Sequence, residues 1–187
     1  MPATRPHIDR ELKRNEILDS AERLLVRDGY DATAMAEVAR GAGIASNAVY
    51  WYFPSKDDLL AAVLNRRQEH VLAKLAASEP DALEEQVLAM LAQLDQVANL
   101  TATVHERAKH SSSVADMHER FHRAADGLLR NLFRDAGLDG EDATRAARAV
   151  MAVVEGVHLH DVDRDTGARD ELVLWTIRRL AAGGEHR

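Results

Sequence analysis

The stretch SNAVYWYFPSK, from Ser46 to Lys56, gathers an amide, several hydroxyls, a run of aromatics and one lysine. An asparagine amide such as Asn47 matches the hydrogen-bonding edge of adenine in a DNA major groove. Ser46 and Trp51 lie on the same presumed face. Trp51 offers apolar contact to a thymine methyl, or packs along the sugar backbone. The hydroxyls of Tyr50 and Tyr52 can bond phosphates. Thr33 and Lys56 sit where helices are expected to begin, and backbone N–H groups there also favour phosphate. Of the chain's eight aromatic residues, Tyr30, Tyr50, Trp51, Tyr52 and Phe53 lie in this region. The last four are consecutive, so no helix can bury them all on one face.

A second chemistry-bearing pattern is HERFH at residues 118–122. On a helix it sets His118 and His122 one turn apart, as zinc requires, with Glu119 as a general base. Arg120 inside the motif and Arg123 after it are poor company for a buried metal. A third ligand would come from Glu141, Glu155, His158 or His160, and no spacing singles one out. The expectation is no catalytic residue, no bound metal and no cofactor. A zinc-dependent hydrolase, or a metal-responsive regulator, is the alternative this motif carries.

The elements that must position these residues read as helices. From Asp9, Leu12, Ile17, Leu18, Ala21, Leu24 and Leu25 fall largely at helical spacing. Gly29 ends that helix as a left-handed cap. Thr33 caps a short helix through Met35, Val38 and Ala39. Gly41-Ala42-Gly43 forms a turn, with Gly43 in the left-handed region. A third helix covers Ser46 to Tyr52 and Pro54 stops it. Ala39, Gly43 and Val49 supply the small contact, the turn and the apolar anchor of a helix-turn-helix. Ser55 caps a long fourth helix, with Asp58 placed for a capping box. Further helices cover 81–99, 103–109, 114–136, 139–162 and 168–182, with breaks at Pro80, Gly137 and Gly167 and a frayed tail after Gly183. No strand pattern and no internal repeat appears. The fold class is all-α, with about nine helices.

Composition bounds the rest. The chain has 187 residues, 46% hydrophobic and 29% charged, and no cysteine. That excludes disulfides and thiolate metal sites, and it fits a cytoplasmic protein. No apolar run approaches the ~20 residues a membrane helix needs. The N-terminus lacks the apolar core of a secretory signal. Net charge is −7, all of it beyond residue 56, because residues 1–56 balance. Phosphate attraction must therefore come from a few well-placed cations.

Across residues 10–64 the chain resembles the TetR family of transcriptional regulators. The resemblance rests on a helix ending DGYDAT, followed by MAEVARGAGIASNAVYWYFPSKDDLL. It implies an all-α dimer with two domains. Residues 1–54 would be a three-helix DNA-binding domain, and residues 55–187 a ligand-binding and dimerisation domain. It implies that Thr33, Tyr50, Tyr52 and Lys56 contact phosphates and that Ser46, Asn47 and Trp51 read bases. The family often has Ser or Thr at Ala45, Lys at Ser46 and His or Tyr at Trp51. No Lys or Arg stands in this recognition helix, so arginine-to-guanine reading from it is impossible. Arg40 or Arg5 would have to compensate.

In the second domain, Val150, Val154, Val157, Leu172, Trp175 and Ile177 form apolar stripes expected at a symmetric four-helix dimer interface. Seven histidines, from His70 to His160, are the polar handles of a largely aliphatic half. His105, Phe121, His122, Val154 and His158 are the expected pocket residues. The sequence thus predicts a DNA-binding regulator, a repressor and not an enzyme. Its partners would be a palindromic double-stranded operator, a second copy of itself and an unknown small-molecule effector, with no membrane.

Overall fold

The computed structural model describes residues 5–77, 83–160 and 166–182. Among them are eight α-helices and one 3-10 turn, with no strand. The helices are α1 (Arg5–Ala32), α2 (Met35–Gly41), α3 (Lys56–Ala77), α4 (Leu83–Asp95), α5 (Ala98–Ala108), α6 (Ser112–Asp135), α7 (Gly140–His160) and α8 (Thr166–Ala182). The 3-10 turn, Ala48–Trp51, is called here the recognition turn. The expected breaks near Pro80 and Gly183 lie outside the described residues.

The chain forms two compact units. The first comprises residues 1–69 and 102–118, and the second residues 70–101 and 119–187. The first unit therefore reaches beyond the 1–54 span expected from the sequence. Side chains explain the extension. Arg66 of α3 bridges Asp19 and Glu22 of α1, each at 2.7 Å, and Arg67 reaches Glu22 at 2.5 Å. These ties join the middle of α3 to α1.

In the first unit Ile17, Leu18, Ala21, Leu25, Val38, Val49, Leu59 and Leu60 are buried. Their spacing on α1 is the helical repeat read from the sequence. Gly29 has φ 78 and interrupts the helical geometry of α1, as a left-handed residue should. The backbone then resumes one more turn to Ala32.

Thr33 departs from expectation. The residue that caps α2 is Ala34, and no side chain bonds its first N–H groups. Thr33 is buried instead, and its hydroxyl donates to the Gly29 carbonyl at 2.7 Å. That bond spans the kink, and the hydroxyl is spent on it.

The third helix expected over Ser46–Tyr52 is shorter and tighter. It is a single 3-10 turn over Ala48–Trp51. Ser46, Asn47, β-branched Val49 and the aromatics are weak helix formers, and Pro54 prevents extension. One turn is all the segment can sustain.

Several capping expectations hold. Ser55 accepts from the Asp58 N–H at 3.1 Å and donates to the Asp58 carboxylate at 2.7 Å. Asp139 accepts from the N–H groups of Glu141 and Asp142, which opens α7. Gly137 has φ 95 and closes α6. The break after α4 falls at Gln96–Val97, a few residues before the expected bend at Asn99.

The second unit has a core of Val87, Met90, Leu91, Leu129, Phe133, Ala147, Val150, Val154, Val173 and Ile177. α8 packs against α7 and α4. This corrects the expected dimer stripe. Val150, Val154, Val157 and Ile177 are buried within the chain itself. Packing of α7 on α8 consumes the faces these residues occupy. Only Leu172 and Trp175 of that set remain exposed, at 43% and 55%.

Candidate nucleic-acid interface

The turn between α2 and the recognition turn is built from backbone hydrogen bonds. The N–H of Gly43 donates to the Arg40 carbonyl at 3.1 Å, and that of Ile44 to the Ala39 carbonyl at 3.0 Å. Gly43 has φ 66, a conformation that costs a residue with a Cβ more than glycine. Ala39 is buried, so α2 and the turn approach closely.

Val49 is fully buried and anchors the recognition turn from below. The Phe53 N–H donates to the Val49 carbonyl at 3.0 Å, and buried Phe53 carries the Arg14 guanidinium 5.2 Å from its ring centre. With both anchors inward, Ser46, Asn47, Tyr50 and Trp51 face solvent. Trp51 is 83% exposed and Tyr50 49%. A tryptophan that exposed leaves most of its apolar area in water, an arrangement expected of a contact surface. Tyr52 is half-buried. Arg40 is exposed, with its guanidinium on the Glu37 carboxylate at 2.9 Å.

Lys56 begins α3 and is half-buried. Its ammonium stands 4.3 Å from the Tyr30 ring centre and 3.3 Å from the Asp31 carbonyl. Burial lowers its pKa below the ordinary lysine value. It is a cation held in place beside the aromatic surface.

Beneath it lies a network the sequence reading missed. The Asp57 carboxylate accepts from the Tyr30 hydroxyl at 2.6 Å and from Arg107 Nε and Nη2 at 2.9 and 2.5 Å. The two-pronged Arg107 bond is the main cause that holds the Asp57 carboxyl below its ordinary value, against the opposing effect of burial. Burial, then the bond to Asp57, pushes the Tyr30 hydroxyl up to about 12. Asp57 and Arg107 stand fifty positions apart, and no local spacing could have paired them.

In the second unit, the expected pocket residues divide. His122 pairs with Glu155 at 2.9 Å and meets Phe121 edge-on at 5.6 Å. The His158 side chain is 6% exposed. It bonds the Val154 carbonyl at 2.7 Å and Asp95 at 3.2 Å. Arg169 also holds Asp95, at 2.9 Å, and its Nε is buried with no hydrogen-bond partner among the described residues. Burial and then Asp95 raise the neighbouring Asp170 carboxyl. Val154 itself is core. Asp95 and Arg169 were not anticipated, because each reads alone as an ordinary helix-surface charge. His105 belongs to the first unit, where its ring meets His118 edge-on at 4.7 Å. Of the HERFH motif, Glu119 is exposed, with Arg123 at 3.7 Å.

An exposed amide and aromatic surface on a buried anchor, carried by α2 and a 3-10 turn that meet at a glycine, is the arrangement of a DNA-binding helix-turn-helix. Residues 17–63 match the family model described as bacterial regulatory proteins, tetR family. Over 162 residues the chain is 28% identical to the HTH-type transcriptional regulator TtgR of Pseudomonas putida, covering 77% of each protein. Its fold is similar to that of a transcriptional regulator from Rhodococcus sp. Rha1, with TM-score 0.75, 20% identity, and 91% of this chain and 96% of that one covered. A TetR transcription regulator from Haloarcula marismortui gives TM-score 0.73 at 19% identity, covering 92% and 98%. Residues 17–63 are thus similar to the DNA-binding region of tetR-family regulators, and the chain as a whole is similar to proteins described as HTH-type and TetR transcriptional regulators. No helix among the described residues is long and apolar enough to cross a membrane.

Proposed function

We propose that this protein is a cytoplasmic, homodimeric repressor that binds a palindromic operator and is released by a small-molecule effector. The observation that carries the DNA part is the exposure of Asn47, Tyr50 and Trp51 above fully buried Val49. Such a surface has no role within the chain's own core. Lys56, Tyr50 and Tyr52 hold the recognition turn on the phosphates. Arg40 adds a cation at the edge.

Exposed Leu172 and Trp175 on α8 support self-association. A two-fold dimer would present two recognition turns to half-sites about one helical turn apart. The half-buried polar group of Asp95, His158 and Arg169 supports effector recognition in the second unit. Effector binding would favour a population whose recognition turns no longer match the half-site spacing.

The test is binding of the purified protein to DNA flanking its own gene, with a salt titration and a random-sequence control. Tight, salt-dependent binding to one inverted repeat is the expected result. Equal, weak binding to both DNAs would overturn the reading of that locus as the operator. Tyr50→Ala together with Lys56→Ala should weaken the specific complex and leave the oligomer unchanged. Unchanged affinity would mean that the DNA face lies elsewhere.

A further inference from the structure

We infer that the recognition turn reads A·T base pairs, with Trp51 selecting a thymine by its methyl group and Asn47 an adenine by its edge. The inference rests on the DNA-binding reading above and specifies what that surface can distinguish.

From Gly41 to Ser55 the sequence has no charged residue. The side chains that identify G·C pairs most strongly in a major groove are therefore absent. Guanine is read by a two-pronged arginine or by lysine, and cytosine by a carboxylate that accepts from its amino group. The flanking cations do not fill the gap. Arg40 lies on α2, outside the recognition turn, with its guanidinium beside Glu37, and Lys56 stands over Tyr30 and against the Asp31 carbonyl.

The exposed polar and aromatic side chains of this segment are one amide, one serine hydroxyl, one phenol and one indole, on Asn47, Ser46, Tyr50 and Trp51. A hydroxyl bonds either kind of pair. The single N–H of an indole is satisfied by any groove acceptor. Only two contacts in this inventory discriminate between bases. An asparagine amide donates to and accepts from the two groups on adenine's edge, and an apolar ring covers the thymine methyl. Trp51 is the largest apolar surface available for the second contact, and it is 83% exposed because nothing in its own unit covers it. Both contacts select the same pair in its two orientations.

The experiment begins with selection of binding sites from a randomised duplex library by the full-length protein. Each thymine of the selected half-site is then replaced by uracil, which removes only the methyl group. Affinities are measured for the wild type and for Trp51→Ala. That exposed substitution leaves the core intact. At one thymine per half-site the wild type should lose about fourfold on loss of the methyl, the value of one buried methyl-sized group. Trp51→Ala should bind the thymine and uracil duplexes equally at that position. Selection of G·C pairs at the centre of each half-site would overturn the inference. So would wild-type affinity unchanged by uracil at every position. In either case a specific site would still have been selected, so the DNA-binding reading would stand. If the library yields no enriched sequence, both fall together.

Discussion

Two side chains at the foot of α3 do opposite electrostatic work. Lys56 sets its ammonium over the Tyr30 ring, where the proposed function has it meet phosphate, and Asp57 turns inward to Arg107. Replacing Lys56 with Ala removes one phosphate contact. Binding should weaken by a similar factor for all sequences, and the slope of log affinity against log salt should become shallower by about one. An unchanged slope, measured by anisotropy titration, would remove Lys56 from the phosphate contacts. Asp57 contributes to acid stability. Its carboxyl titrates below the ordinary 3.8 in the folded protein. The folded state thus binds that proton less readily than the unfolded chain does. The stabilisation is fully present above the unfolded value and is lost as pH falls through the folded one. Asp57→Asn should cost on the order of 1–3 kcal/mol at neutral pH. The difference between variant and wild type in urea unfolding should narrow below about pH 4. A gap independent of pH would mean that shape, not charge, holds the network.

At the scale of elements, the contact between α1 and α2 turns on Gly41. A Cβ added there would stand 2.1 Å from Ser20 Oγ and 3.2 Å from Ser20 Cβ. Ser20 is itself buried on α1. Gly41→Ala should therefore destabilise the first unit by about 1–3 kcal/mol, the usual cost of overpacking. Ser20→Ala in the same chain removes the nearer atom and should restore part of the loss. That non-additivity is the signature of direct contact. Additive urea-unfolding energies would show that α2 shifts to avoid the clash. The expected small contact residue was Ala39, with Gly43 as the turn. Ala39 is buried and Gly43 has positive φ, but the close approach across helices lies at Gly41. Periodicity identifies which face of a helix turns inward. It says nothing of how near the opposing side chain comes.

At the scale of the whole molecule, the proposed dimer rests on a narrow feature. α8 alternates Leu172 and Trp175 outward with Val173 and Ile177 inward. Arg179 stands 5.7 Å from the Trp175 ring and extends the exposed patch. Changing Leu172 and Trp175 together to Glu should convert the dimer to monomer by sedimentation, with helicity retained because neither side chain is core. Loss of cooperative binding to an inverted repeat should accompany it. A variant that still sediments as a dimer would place the interface on another surface.

What the sequence determined was set by local rules. Helical periodicity, glycine turns at Gly29, Gly43 and Gly137, and the caps at Ser55 and Asp139 are properties of a few consecutive residues, and each is read without knowing the fold. The crowding of aromatics between Tyr50 and Phe53 likewise marks a surface, since one helix face cannot bury them all. Only the tertiary structure decided which apolar residues were already used. Val150, Val154, Val157 and Ile177 look like an interface stripe until α7 and α8 are packed and bury them. It also decided the partners of polar groups. Thr33 turns its hydroxyl to Gly29, Asp57 meets Arg107, and His158 and Arg169 converge on Asp95. These pairings join residues far apart in the chain or compete with a local cap, and their energies exist only once packing brings the groups together.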